Sequence, residues 1–214
     1  MKQAIIFDMD GTLFQTNMIL EPALAATFDA LRENELWFGE TPISKYREIM
    51  GVPLPVVWET LCPNHSEEVR EKSNELFQKK LIEMITLCKG ALYPNVAETL
   101  QSLSIQYPLF VASNGEWEYL QAIIDTYELN QLFEKIYSIQ SIASGNKSEL
   151  VKSVIEENEL SSAWVVGDRL SDIMAAKENG LVSIGVNFDF AQQEELNQAD
   201  FVINEMKELL TVIR

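Results

Sequence analysis

The chain has 214 residues and carries 33 acidic against 16 basic side chains, a net charge of −17 with its single His neutral. That length suits one domain, or a core domain with a modest insertion, and 47% apolar with 23% charged residues supplies a core and excludes a disordered or fibrous chain. The acidic excess repels phosphate backbones and anionic lipid surfaces, which excludes nucleic acid and membranes as broad partners, while two cysteines, Cys62 and Cys88, are too few for a disulfide framework and match no metal-ligand spacing.

In chain order, Ala4-Ile5-Ile6-Phe7 is a short continuous apolar run and predicts a strand covered on both faces. It is too short for the core of a signal peptide, and no later run reaches the roughly 18 apolar residues of a membrane span, so a soluble, unprocessed, cytoplasmic protein is expected. Residues 15–91 hold no strand run. Leu20, Leu24, Phe28 and Leu31, then Val69, Leu76, Phe77, Leu81, Met84, Ile85 and Cys88, recur at helical spacing. Breaks at Gly39, at Gly51-Val52-Pro53 and at Pro63-Asn64 divide this all-helical insertion into about four helices. An insertion directly after the first strand sits at the carboxyl end of a sheet, where open α/β sheets bind ligands.

From residue 92 onward helix and strand patterns alternate. Helices are expected around Val96, Leu100 and Leu103; Leu120, Ile123 and Ile124; Leu150, Val151, Val154 and Ile155; Ile173, Ala176 and Leu181; and Met206, Leu209 and Leu210. Strands are expected at 109–112, 163–166, 182–186 and 201–203, with 136–139 a further candidate. The order argues an α/β fold: a parallel sheet with helices on both faces from residues 1–14 and 92–214, and a helical part from 15–91 joined by short hinges.

The chemical signal is Phe7-Asp8-Met9-Asp10-Gly11-Thr12, directly after the first strand. Two carboxylates two residues apart at a strand end point into one site while Gly11 lets the backbone turn. Sharing a site drives them into different roles, one as nucleophile or ligand and the other as acid and base. The same letters also read as a turn or part of a calcium loop. The calcium pattern, however, needs Glu where Ile19 stands and a helix where a strand precedes.

Further along, Ser113-Asn114-Gly115 offers a hydroxyl and helix-start amides to an anion, although alone it also reads as a turn. Lys147 opens a helix and offers a point positive charge; alone it also reads as a solvated surface lysine. Asp168 and Asp172, four apart in Gly167-Asp168-Arg169-Leu170-Ser171-Asp172 at a helix start, can both face the strand end, although alone they also read as a helix cap and a first-turn acid. Oxygen-only ligands from Asp8 and Asp168 favour a hard divalent ion, and Mg²⁺ suits a phosphate site best. His65 stands alone in the insertion and reads as an ordinary polar residue.

These four motifs, in this order and at strand or helix ends, resemble those of the haloacid dehalogenase-like hydrolase superfamily, with the nearest likeness to its phosphoglycolate phosphatase and nucleotidase-like branch. The resemblance covers the whole chain and implies a Rossmann-like core with a helical cap at 15–91, Leu92-Tyr93-Pro94 marking the return to the core. It implies Mg²⁺-dependent hydrolysis of a small phosphomonoester. Asp8 would be the nucleophile forming a phospho-aspartate, Asp10 the acid and base, and Lys147 a catalytic cation. Gly11, Thr12, Ser113 and Asn114 would bind phosphate, with Thr12 also holding Asp10 in place. Asp8, the Asp10 carbonyl and Asp168 would hold the metal, with Asp172 acting through water. Arg47, Gly51 and Trp58 flank a Gly-Val-Pro break that resembles the cap's substrate-facing loop, and they also read as a surface arginine beside a turn and a core tryptophan. Where that branch often carries an acidic residue, this chain has Gln15. A phosphomutase, a 2-haloacid dehalogenase and a non-catalytic ligand sensor remain as alternatives, and the sequence fixes neither the substrate nor the oligomeric state.

Overall fold

The computed structural model describes residues 2–49 and 52–213. Among them, six strands build one parallel sheet: β1 (Gln3–Phe7), β2 (Leu109–Ser113), β3 (Lys135–Ser138), β4 (Ser162–Gly167), β5 (Val182–Val186) and β6 (Phe201–Ile203). Their order across the sheet is β3-β2-β1-β4-β5-β6. Side chains alternate faces along each strand, which is why continuous apolar runs are needed. Ile5 and Phe7 join Leu109, Val111, Val166 and Ile184 in one core, while Ala4 and Ile6 join Phe110, Ala112, Ala163 and Val165 in the other.

Among the described residues, four helices fill the stretch 15–91 after β1: α1 (Asn17–Glu33), α2 (Ile43–Glu48), α3 (Leu54–Leu61) and α4 (Glu67–Thr86). They are followed by α5 (Val96–Ser104), α6 (Trp117–Thr126), α7 (Lys147–Glu157), α8 (Leu170–Glu178), α9 (Gln193–Leu196) and α10 (Leu209–Val212). Apolar residues of α5 and α6 pack in the first core and those of α7 and α8 in the second. Among the described residues no helix is long and apolar enough to cross a membrane.

The chain runs outward from β1 through β2 to β3 and then crosses back to β4 on the other side of β1. The connections therefore reverse direction at β1, and the carboxyl ends of β1, β2 and β4 meet at the crevice where such sheets bind ligands. Phe7 lies opposite Val111 and Val166, so Asp8, one residue on, and Ser113 and Asp168, two residues on, leave the sheet at the same end.

In the helical part, α4 packs against α1 and α3, and it also packs against α6. Its start is set by Ser66, whose side chain accepts from the Val69 N–H, with Glu67 and Glu68 in the first turn complementing the helix dipole. Trp58 stacks on Phe28 and meets Phe77 edge-on, so aromatic packing rather than a sheet forms this core. The two connections to the sheet run side by side: Phe14 and Leu92 form an antiparallel bridge, and Gln15 donates to Ala91 O (2.8 Å) through its N–H and to Leu92 O (2.7 Å) through its side chain.

Some expectations need correction. The strand expected at 136–139 is β3, one residue earlier, because the Ser138 side chain accepts from the Gln140 N–H and turns Ile139 into a short 3₁₀ helix. Leu181 lies beyond α8, and the Met206 pattern forms a 3₁₀ turn followed by the four-residue α10. Helix α9, which has a single apolar residue among its four, gave no periodic signal.

Candidate active site

Asp8 leaves β1 with its N–H donated to Val166 O (2.9 Å), which fixes the backbone between β1 and β4. Its Oδ1 lies 2.6 Å from Lys147 Nζ, at the first residue of α7, and the same ammonium lies 2.5 Å from Asp172 Oδ1. Asp168, at the end of β4, completes the group: one carboxylate oxygen each from Asp8, Asp168 and Asp172 lies within 4.8 Å of the others, and all three residues are buried. Two glycines make room for them. At Gly11, which has φ +72°, a Cβ would lie 2.5 Å from Asp168 Oδ2; at Gly167 it would lie 2.1 Å from Asp172 Cγ. The Arg169 N–H holds Asp172 at the start of α8 (3.1 Å to Oδ2).

Three buried carboxylates face one ammonium, and the proton affinities show the strain. Burial raises the Asp168 pKa well above the carboxylate range, with the charges of Asp172 and Asp8 adding to it. Burial likewise lifts Asp172 to about 6, despite the opposing pull of Lys147. For Lys147 burial acts downward, but Asp172 and Asp8 outweigh it and hold the ammonium charged. A buried all-oxygen acidic set with surplus negative charge, cradled by glycines, fits a hard divalent cation.

Asp10 is placed differently. It lines the cavity, and its Oδ1 accepts from Thr16 Oγ1 and from Tyr119 Oη (2.5 Å). Burial and the Asp8 charge push its pKa up to about 6, partly offset by those two hydroxyls. Ser113 is buried at the end of β2, where its Oγ accepts the Gly115 N–H (3.2 Å) and keeps its own proton available to an anion. Asn114 and Lys147 line the same cavity, whose free volume is about 60 Å³ and whose opposite wall comes from α2, the start of α3 and α4.

Asp8, Asp10, Ser113, Asn114 and Lys147 thus meet at one cavity, with Asp168 and Asp172 directly behind. Gly11 and Thr12 also lie behind it. The Thr12 hydroxyl donates to Asp168 Oδ1 (3.2 Å) and not to Asp10; Thr16 and Tyr119 take the holding role that Thr12 was expected to have. Of the two readings of the residues around the Gly-Val-Pro break, the structure supports the surface arginine and the core tryptophan, not the substrate-facing loop. Arg47 pairs with Glu21 on the half-exposed surface and is not part of the cavity wall. On the short α2 it is Tyr46 that faces inward, and the next residue is turned about 100° away. Trp58 is 2% exposed, donates to Asn74 Oδ1 (2.9 Å) and belongs to the helical core. Gly51 lies outside the described residues. His65 sits apart, against Trp37 and Leu36 O.

Comparison with known proteins bears on the family and the fold. The family described as haloacid dehalogenase-like hydrolase matches residues 5–186. A pyrophosphatase PpaX from Listeria monocytogenes is 23% identical over 217 residues, covering 98% of this chain and 95% of that one. A phosphoglycolate phosphatase from Vibrio vulnificus is 24% identical over 222 residues, with the same coverage of 98% and 95%. The crystal structure of a predicted phosphoglycolate phosphatase from Haemophilus somnus superposes with a TM-score of 0.85 at 22% identity, covering 100% of this chain and 98% of that one.

The raised carboxylates make the metal-free protein sensitive to pH in a defined direction. A carboxyl whose folded pKa is raised stabilises the fold fully below its unfolded value, and that contribution fades as pH rises through the folded value, about 6 for Asp172. Burial raises Asp168 in the same direction, so chelator-treated Asp168→Asn should gain in melting temperature relative to the parent as pH rises from 5 to 8. Scanning calorimetry at the two pH values checks this, and a difference that stays constant or moves the other way contradicts it.

Proposed function

We propose that this chain, which belongs to the haloacid dehalogenase-like hydrolase family, is a divalent-metal-dependent phosphatase of small phosphate monoesters. The observation that carries the reading is the split between two carboxylates two residues apart: Asp8 touches Lys147, while Asp10 is held away by Thr16 and Tyr119 with its pKa raised to about 6. Residues 15–91 are proposed as a cap over the site, supported by the paired crossing at Phe14 and Leu92.

In the proposed reaction an Asp8 carboxylate oxygen attacks phosphorus, and the bond to the departing alcohol oxygen breaks. Asp10, protonated, gives that oxygen its proton. Asp10 then takes a proton from water, whose oxygen attacks the phosphorus of phospho-Asp8, releasing phosphate and the free carboxylate. Lys147 and the Ser113 hydroxyl offset charge on the nonbridging oxygens, and amides near Asn114 help seat them. Asp8, Asp168 and the Asp10 carbonyl would hold a Mg²⁺ ion, with Asp172, tied to Lys147, supporting it through water. When bound, the ion supplies positive charge to the phosphoryl oxygens. A proton donor on the leaving-group side favours an oxygen leaving group over a halide, which needs no proton.

Phosphate release from p-nitrophenyl phosphate should require added Mg²⁺ and disappear with chelator. Asp8→Asn should lose both turnover and the phospho-enzyme seen by intact mass. Phosphorylation that persists in Asp8→Asn, or halide release from 2-haloacids in place of phosphate release, contradicts the reading.

A pH profile separates the role of Asp10. Protonated Asp10 is needed for the first transfer, so kcat/KM should fall as pH rises through its pKa, about 6. The Tyr119 hydrogen bond stabilises the carboxylate form and lowers that pKa, so Tyr119→Phe should move the falling limb to higher pH. A limb that stays put or moves to lower pH would remove Tyr119 from this role.

A further inference from the structure

The wall of the cavity opposite the carboxylates is Tyr46, Leu54, Phe77, Gln78 and Leu81, with Val52 at the margin. Among the described residues, no Lys, Arg or His of the helical part lines it. The two cations that do line the cavity are engaged: Lys147 by Asp8 and Asp172, Arg169 by Glu195 (Nε to Oε2, 3.0 Å). The cleft next to it, at the start of α7, is taken as well, since Asn146 Oδ1 accepts the N–H groups of Ser148 (2.7 Å) and Glu149 (3.4 Å). A second negative group on the substrate would therefore meet no free counter-charge and would stand near Asp10.

Apart from the Tyr46 hydroxyl, one polar group interrupts this apolar wall. Gln78 is 8% exposed, lies between Phe77 and Leu81 on the inward side of α4, and its Oε1 is buried without a hydrogen-bond partner among the described residues. An unpaired buried carbonyl is costly, and a hydroxyl on a bound ligand satisfies it, whereas a carboxylate has no proton to give.

We infer that the site selects phosphate monoesters whose alcohol is uncharged and carries a further hydroxyl, and that Gln78 is the residue that recognises this hydroxyl. The inference rests on the phosphatase reading of the same cavity and narrows its substrate class. Specificity then lies on α4, not at the Arg47 end of α2.

Three esters of similar size test it: 2-hydroxyethyl phosphate, propyl phosphate and carboxymethyl phosphate (phosphoglycolate). Wild type should favour the first over the second by about tenfold in kcat/KM, the scale of one hydrogen bond, and should use the third least. Gln78→Leu should abolish the difference between the first two and leave the third poor. Gln78→Lys should raise the third selectively. Calorimetric affinities of the same esters for Asp8→Asn should follow the wild-type order, so the selectivity is measured whether or not turnover occurs. Absence of p-nitrophenyl phosphate hydrolysis by wild type would count against the phosphatase reading, and the calorimetric order would still decide the selectivity. Carboxymethyl phosphate used or bound as well as the neutral esters, no binding of any of the three, or a hydroxyethyl-to-propyl ratio unchanged in Gln78→Leu would overturn the inference.

Discussion

Three buried carboxylates around one lysine ammonium set the terms for the rest of this structure. Asp8, Asp168 and Asp172 come from the ends of two adjacent parallel strands and the first turn of a helix, and Lys147 reaches them from the start of another. Such an arrangement leaves surplus negative charge in a place with little water, which is unfavourable for folding and favourable for binding a cation. The sheet order makes the approach possible, because the reversal at β1 brings β1 and β4 side by side. Gly11 and Gly167 then remove the two Cβ atoms that would block it.

The same crowding divides labour among the aspartates. Asp8 keeps its ammonium partner, while Asp10, two residues on, turns into the cavity and loses that contact. Burial and the Asp8 charge raise its proton affinity, and the hydroxyls of Thr16 and Tyr119 limit the rise and fix its direction. Tyr119 also places α6 in the site, and α6 is the helix on which α4 rests. The acidic floor and the helical wall are therefore coupled through a single layer of packing.

Most of the fold could be read from the sequence because its strands are buried on both faces and appear as uninterrupted apolar runs. The motif residues could be read because strand ends and helix starts give a fixed local geometry to Asp8, Asp10, Ser113, Lys147 and Asp168. What could not be read depended on helix phase and distant contact. The six-residue α2 is too short for its apolar pattern to tell whether Tyr46 or Arg47 faces inward. Tyr119 reaches Asp10 across 109 positions, and in sequence it looks like one more residue of an apolar stripe. Thr12 and Thr16 are chemically alike, and only the turn at Gly11 sends the first to Asp168 and the second to Asp10. Gln78 did leave a signal, as an amide between Phe77 and Leu81, but nothing showed that its neighbours faced a cavity.

If a divalent cation is held as proposed, it competes with protons for the same buried carboxylates. The direct measurement is calorimetric titration of Mg²⁺ into metal-free protein near pH 6, in two buffers of different protonation enthalpy. Saturable binding with net proton release is predicted near pH 6, and the release should shrink as pH rises through 6 and the group that titrates there ionises. Identical heats in the two buffers near pH 6, or no saturable binding, would contradict it.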